Sequence, residues 1–226
     1  MFLDFWPDFS GKRIAYAASF GGSEWIYTEE QEKTCGNLEK KFNAISVREA
    51  SGVQLCKEHF GVKATHVLDP TLLLTMNDYE SLLSEPKRVT DTLLAYVLDA
   101  SPEKTAFLEH IAERLSLKLK IKGANDDITW EESIESWLSE IRNAGFVVTD
   151  SFHGTVFSIL FHRPFLSIVN KRRGAERFTS LLKELELSKR LIYDVTMFNL
   201  ENHTIDWAEV DLRLAKERDQ SLIFLE

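Results

Sequence analysis

The feature that most limits what this chain can fold into is a recurring pair: a short apolar run, then a loop, then an amphipathic stretch. The runs are RIAYAAS (13–19), AISVRE (44–49), THVLDP (65–70), TLLAYVLD (92–99), KLKIK (118–122), FVVTD (146–150) and PFLSIV (164–169). Between them lie charged segments with helical spacing, at about 27–42 and 51–60, then from Ser101, at 133–145, from Ser151, at 176–187 and from about Asp206. Alternating strands and helices predict parallel sheets with crossover helices. Ser101 with Pro102 behind it reads as a helix start. Gly61 and Gly145 read as helix stops.

The alternation is interrupted by TMNDYESLLSEPKRVTD (75–91), a polar stretch that reads as a linker. The expected organisation is a partial amino-terminal α/β domain over 1–78, a linker at 79–91 and a carboxyl-terminal α/β domain over 92–226. Three strands in the first unit are few for a sheet that must be covered on both faces. Either the two units share one sheet, or part of the first domain is missing.

Charge and cysteine content narrow the function classes. A net charge of −9 argues against a nucleic-acid surface, because phosphate-backbone binders concentrate Lys and Arg. An anionic substrate would then need a local basic pocket. Cys35 and Cys56 form neither metal spacing nor a disulfide framework, and a reduced cytoplasm is the simplest setting. No apolar run approaches the roughly 20 residues that cross a bilayer. MFLDFWPDFSGKR reads as a packed aromatic loop rather than a signal peptide.

In open parallel sheets ligands bind beyond the carboxyl ends of strands. That rule selects Phe20-Gly21-Gly22, Arg48-Glu49, Asp99 and Asp150-Ser151-Phe152-His153-Gly154. In the last, Asp150 or Ser151 can cap the following helix, whose start offers free N–H groups to an anion. Gly154 leaves room for a ligand near the backbone. Imidazole is the side chain that titrates nearest neutrality, so His153 can move a proton there. The competing reading makes His153 a turn residue bonded to a carbonyl. Arg48 is a forked clamp for a carboxylate or phosphate, or else the partner of Glu49 or a helix acid. The cluster Lys171, Arg172, Arg173 and Arg177 gathers at the same sheet edge, with most of its charges expected in solvent. His59, His66, His110, His162 and His203 read as surface or packing residues. Phe20-Gly21-Gly22 lacks a full dinucleotide fingerprint.

Taken in order, RIAYAASFG (13–21), FNAISVREASGVQL (42–55), VLDPTLLL (67–74), VTDSFHGTVFSILFHRPFLSIV (148–169) and GAERFTSLLKELEL (174–187) resemble the polysaccharide pyruvyl transferase family. The resemblance implies a glycosyltransferase-B-like pair of doubly wound domains. It implies transfer of a pyruvyl group from phosphoenolpyruvate to a sugar hydroxyl of a polysaccharide or lipid-linked precursor, forming a ketal in exopolysaccharide or cell-envelope synthesis. It also implies action in the cytoplasm, at the inner membrane face, with phosphoenolpyruvate as co-substrate and neither cofactor nor metal. His153 takes the acid/base position, and Arg48 the position that holds phosphoenolpyruvate. The family's Arg two positions before the His is replaced by Ser151, leaving Ser151, Phe152, Gly154 and Arg177 to complete the anion site. Only twelve residues precede RIAYAASFG, where the family has a long segment, so the first domain is expected to be incomplete. Two other classes stay open: a nucleotide-sugar glycosyltransferase using Asp99 or Glu176 for the ribose, and a non-catalytic glycan-binding module.

Overall fold

A computed structural model of the chain describes residues 4, 9–83, 87–123, 133–170, 174–198 and 204–226. Its first unit runs β1 (Ile14–Ala18), α1 (Glu29–Glu39), β2 (Ala44–Val47), α2 (Ala50–Leu55) with a π-helical turn at Cys56–Phe60, and β3 (Thr65–His66). All three strands are parallel, in the order β1-β2-β3. Gly61, at φ 66°, ends the second helical segment where a left-handed residue was expected.

The third strand is shorter than the expected 65–70. Val67 N–H still donates to the Val47 carbonyl, at 3.0 Å. Asp69 then turns the chain by accepting from Thr71 N–H, and Pro70 opens a 3-10 turn over Pro70–Leu72. Nor is the polar stretch after it structureless. It holds α3 (Met76–Glu80), where the Asp78 carboxylate accepts from the Thr75 N–H and hydroxyl, each at 2.7 Å. Tyr79 and Leu83 bury in the main core.

The second unit runs β4 (Thr92–Val97), α4 (Pro102–Leu115), β5 (Lys118–Gly123), α5 (Ile134–Asn143), β6 (Phe146–Thr149), α6 (Phe152–Leu160), β7 (Phe165–Ile168), α7 (Glu176–Glu184), β8 (Leu191–Ile192) and α8 (Trp207–Ile223). Its five parallel strands lie in the order β5-β4-β6-β7-β8. Successive connections therefore run one way from β4 to β5 and the other way from β6 onward. The reversal leaves a crevice beyond the ends of β4 and β6. β8 was not expected, since two residues carry no periodicity. The chain is thus an α/β structure with one three-stranded and one five-stranded parallel sheet.

Alternation along the central strands buries both faces of the larger sheet. Leu93, Ala95, Val97 and Val148 pack with Phe107, Leu108 and Ile111 of α4 on one side. Leu94 and Val147 pack with Ile141, Val156, Phe157 and Leu182 on the other. Leu68, Leu72 and Tyr79 join this second cluster, so the end of the first unit rests on the core of the second. α8 spans the same junction. Val210 and Leu214 enter that core, while Ser221 Oγ accepts from Leu68 N–H at 2.9 Å and Arg218 Nε donates to the Leu72 carbonyl at 2.9 Å. No helix among the described residues is long and apolar enough to cross a membrane.

Leu182 is fully buried whereas Ile223 is 68% exposed. Leu182→Ala is expected to lower the unfolding free energy by about 2–5 kcal/mol. Ile223→Ala should stay within about 0.5 kcal/mol of the parent. Urea titrations followed by tryptophan fluorescence check both.

Candidate functional site

The bend between β6 and α6 is built by short polar side chains. Thr149 Oγ1 donates to the Tyr96 carbonyl at 2.6 Å and accepts from Ser151 N–H at 3.0 Å. Ser151 is the helix cap, its Oγ accepting from Gly154 N–H at 3.3 Å. The N–H groups of Phe152 and His153 are left without an intrahelical acceptor. Asp150 turns the other way. It accepts from the N–H groups of Leu98 and Asp99 and from Lys104 Nζ, at 2.6, 3.2 and 2.6 Å, closing the crevice between β4 and β6. Gly154 is buried, and a Cβ there would stand 2.5 Å from Thr149 Oγ1. Its missing side chain makes room for β6 rather than for a ligand.

His153 stands on the first turn of α6 with its side chain 45% exposed. Among the described residues its ring makes no bond to the main chain; Nε2 lies 3.8 Å from Asp69 Oδ1. That spacing is an electrostatic approach, too long for a hydrogen bond. Asp69 is almost completely buried at the end of β3, and Arg48 Nη1 donates to its Oδ2 at 2.5 Å. Arg48 therefore pairs with Asp69 and not with its neighbour Glu49. Burial alone would raise the Asp69 carboxyl. The approach of His153, the Thr71 hydroxyl and N–H, and Arg48 outweigh that cost and hold it well below the usual carboxylate range.

Two guanidiniums flank Phe152. Arg48 Cζ lies 5.8 Å from the centre of its ring and Arg177 Cζ, from the first turn of α7, lies 5.4 Å away. Both are within cation–π range. His66 Nε2 is 3.3 Å from the Arg48 carbonyl, which ties the arginine's backbone to β3. Glu49 is fully buried and accepts from the Ser19 hydroxyl and from Gly21 N–H, while its Oε2 has no partner among the described residues. The glycine loop after β1 also meets the loop after β7. A Cβ on Gly174, whose φ is +84°, would stand 1.7 Å from the Gly21 carbonyl.

The carboxyl ends of the two sheets thus meet. Among the candidates, Arg48 and Arg177 come together on Phe152, Arg48 and His153 come together on Asp69, and Ser151 caps the helix that carries Phe152 and His153. Asp99 is not part of this group: its carboxylate accepts from Asn170, and Lys104 Nζ donates to its carbonyl at 2.7 Å. Glu176 lies in the first turn of α7. Lys171, Arg172, Arg173 and His203, and the aromatic loop at 1–3 and 5–8, lie outside the described residues. His59 stacks on Trp25 and His162 on Trp207, as packing residues. Among the described residues no three His, Cys, Asp or Glu side chains form a group that could hold a metal.

Sequence reasoning passed over Asp69. Its signal was the Asp-Pro pair ending THVLDP, a strand end that the ligand-site rule also covers. The sequence profile of the polysaccharide pyruvyl transferase family matches residues 1–172 of the 226. No curated protein matches the chain.

The Asp69 carboxyl is lowered on folding, so it adds stability above the unfolded carboxyl's pKa of about 3.9. That stability is lost as the pH falls through the folded value. The parent should therefore lose stability between about pH 5 and about pH 2 more steeply than Asp69→Asn, in urea titrations repeated across that range. Parallel acid limbs would remove Asp69 from the charge network.

Proposed function

The chain belongs to the polysaccharide pyruvyl transferase family, and on that premise we propose that its site transfers a pyruvyl group from phosphoenolpyruvate to a sugar acceptor as a ketal. The observation that carries this reading is the meeting of His153 with Arg48 and Arg177 where the two sheets face each other. The family name supplies a transferase; the residues supply roles for the parts.

The anion comes first. Phosphoenolpyruvate carries a carboxylate and a phosphate. Arg48 and Arg177, with the open N–H groups at the start of α6, offer the forked and dipolar donors such groups take. Arg177 stands in for the arginine that Ser151 replaces. Phe152 keeps both guanidiniums spread over one apolar face, and Asp69 fixes the aim of Arg48.

The chemistry needs protons moved at one carbon pair. Protonating the methylene of phosphoenolpyruvate makes its neighbouring carbon electrophilic. One sugar hydroxyl adds there and loses its proton; a second hydroxyl then displaces phosphate, closing the ketal. One proton ends in the new methyl group and the other on the released phosphate. His153, exposed and facing Asp69, is the group placed to deliver or collect these protons. Arg48 and Arg177 meet the charge that leaves with phosphate.

The same reading assigns the units 1–78 and 92–226, joined at 79–91, to a glycosyltransferase-B-like pair. The separate parallel sheets with facing carboxyl ends support it. The acceptor is a polysaccharide or lipid-linked glycan reached from the cytoplasm. A nucleotide-sugar reading, with Asp99 or Glu176 on the ribose, has less support at Asp99, whose carboxylate is engaged by Asn170.

Two measurements test the proposal. Phosphoenolpyruvate should raise the melting temperature, a panel of nucleotide sugars should not, and Arg48→Ala should abolish the shift. Phosphate release from phosphoenolpyruvate with sugar acceptors should fall by about 10²–10⁴ in His153→Ala. Protection by a nucleotide sugar without protection by phosphoenolpyruvate would replace this function with glycosyl transfer.

A further inference from the structure

A second cavity lies in the first unit, enclosed by α1, the loop after β1 and the faces of β1 and β2. Its volume is about 220 Å³. Trp25, Tyr27, Phe42 and Phe60 line it, with Cys35 and Cys56 beside them. An apolar cavity of about 150 Å³ is enough to hold benzene. Shape and lining alone would describe a site for a hydrocarbon.

One wall residue changes that description. Glu39 lines the cavity at the end of α1, is only 8% exposed, and its Oε2 has no hydrogen-bond partner among the described residues. Among the same residues Trp25 Nε1 is likewise unpartnered. Burial pushes the Glu39 carboxyl up to about 7 and the Cys56 thiol up to about 12. The thiol therefore stays neutral, while the carboxyl ionises readily once a donor reaches it. An unsatisfied buried acceptor costs free energy that an incoming donor recovers. The cavity lining contains no Lys, Arg or His, so an ionised Glu39 would face an anion with no cationic side chain of the wall to offset it.

We propose that this cavity is a binding site for a small molecule with an apolar, ring-sized body ending in an ammonium group, the ammonium seated on Glu39. The Trp25 and Tyr27 rings, 4.9 Å apart edge to face, enclose the body. Their π systems also favour a cation over a neutral head. The ligand class is opposite in charge to phosphoenolpyruvate, and the site is separate from the His153 cluster. Its ligand is therefore a second molecule, not another pose of the co-substrate.

2-Phenylethylamine and 2-phenylethanol share a body and differ in the head, so they isolate the contribution of Glu39. Titration calorimetry of the chain at about pH 8, where the amine is still protonated, should show the amine binding at least about tenfold more tightly than the alcohol. That factor is the scale of one charge-assisted hydrogen bond. In Glu39→Gln the preference should vanish, and the variant should melt no lower than the parent because it loses a buried, unpaired acid. Cys35→Trp fills the cavity from α1 and should abolish binding of both probes. Equal affinity for the two probes in the parent, no binding of either, or an undiminished preference in Glu39→Gln would each overturn the assignment.

Discussion

One buried carboxylate sets the geometry on which the rest of the site depends. Asp69 caps the turn that follows β3 through Thr71, receives Arg48 from the end of β2, and faces His153 from α6. Three elements far apart in sequence are thereby registered on two oxygen atoms. Buried ion pairs of this kind give little net stability, because desolvation offsets most of the attraction. Breaking one is costly, since the surviving charge is left without a partner. Asp69 therefore acts as a constraint on position. It makes an Arg48 aimed elsewhere, or a turned-away His153, energetically unfavourable.

The junction around it is held by other polar contacts. Loop N–H and C=O groups at strand ends need partners, and here the opposite unit supplies several of them. Ser180 Oγ of α7 accepts from Ala50 N–H at 3.0 Å, at the start of α2. Ser221 and Arg218 of α8 satisfy Leu68 and Leu72. Apolar contacts from Leu68, Leu72 and Tyr79 lie alongside. Direct polar bonds have narrow geometry, so this seam fixes relative placement more finely than apolar contact would. The phenyl ring of Phe152 sits in the same seam, which is how two guanidiniums from different units come to share one ring face region.

Much of this was legible in the sequence because the large sheet is parallel and buried on both faces. Such strands must be continuous apolar runs, and β4, β6 and β7 were visible as that, while β5 showed at the sheet edge as Lys alternating with apolar residues. β8 was not, because two residues at a sheet edge carry no pattern. α3 was hidden in a polar stretch, where Asp78 supports the helix start with a local carboxylate and only Tyr79 is deeply buried. The β6–α6 turn was readable from Ser151 and the glycine behind it, although the reason for Gly154 was packing on Thr149. Partners were the illegible part. Arg48 has Glu49 beside it in sequence, yet its carboxylate partner comes from the end of β3, and Glu49 turns back to β1. Arg48 and Glu49 lie in the bend between β2 and α2, where the chain sends the two side chains to different partners, so the adjacent acid was the wrong one to pair.

The charge balance follows from the same arrangement. A chain with a net charge of −9 repels anions at long range, but that repulsion is damped beyond a Debye length of about 8 Å at physiological salt. Inside that distance the field is set by the nearest groups. Around Phe152 those are Arg48 and Arg177, the start of α6, the Asp69 carboxylate paired with Arg48, and the nearby Glu184 and Glu217. Around Glu39 they are aromatic rings and neutral thiols. Two regions of one acidic protein therefore carry different local fields, each set by its own wall and not by the total. What distinguishes them is whether the buried carboxylate has an arginine: Asp69 does, and among the described residues Glu39 Oε2 has no partner.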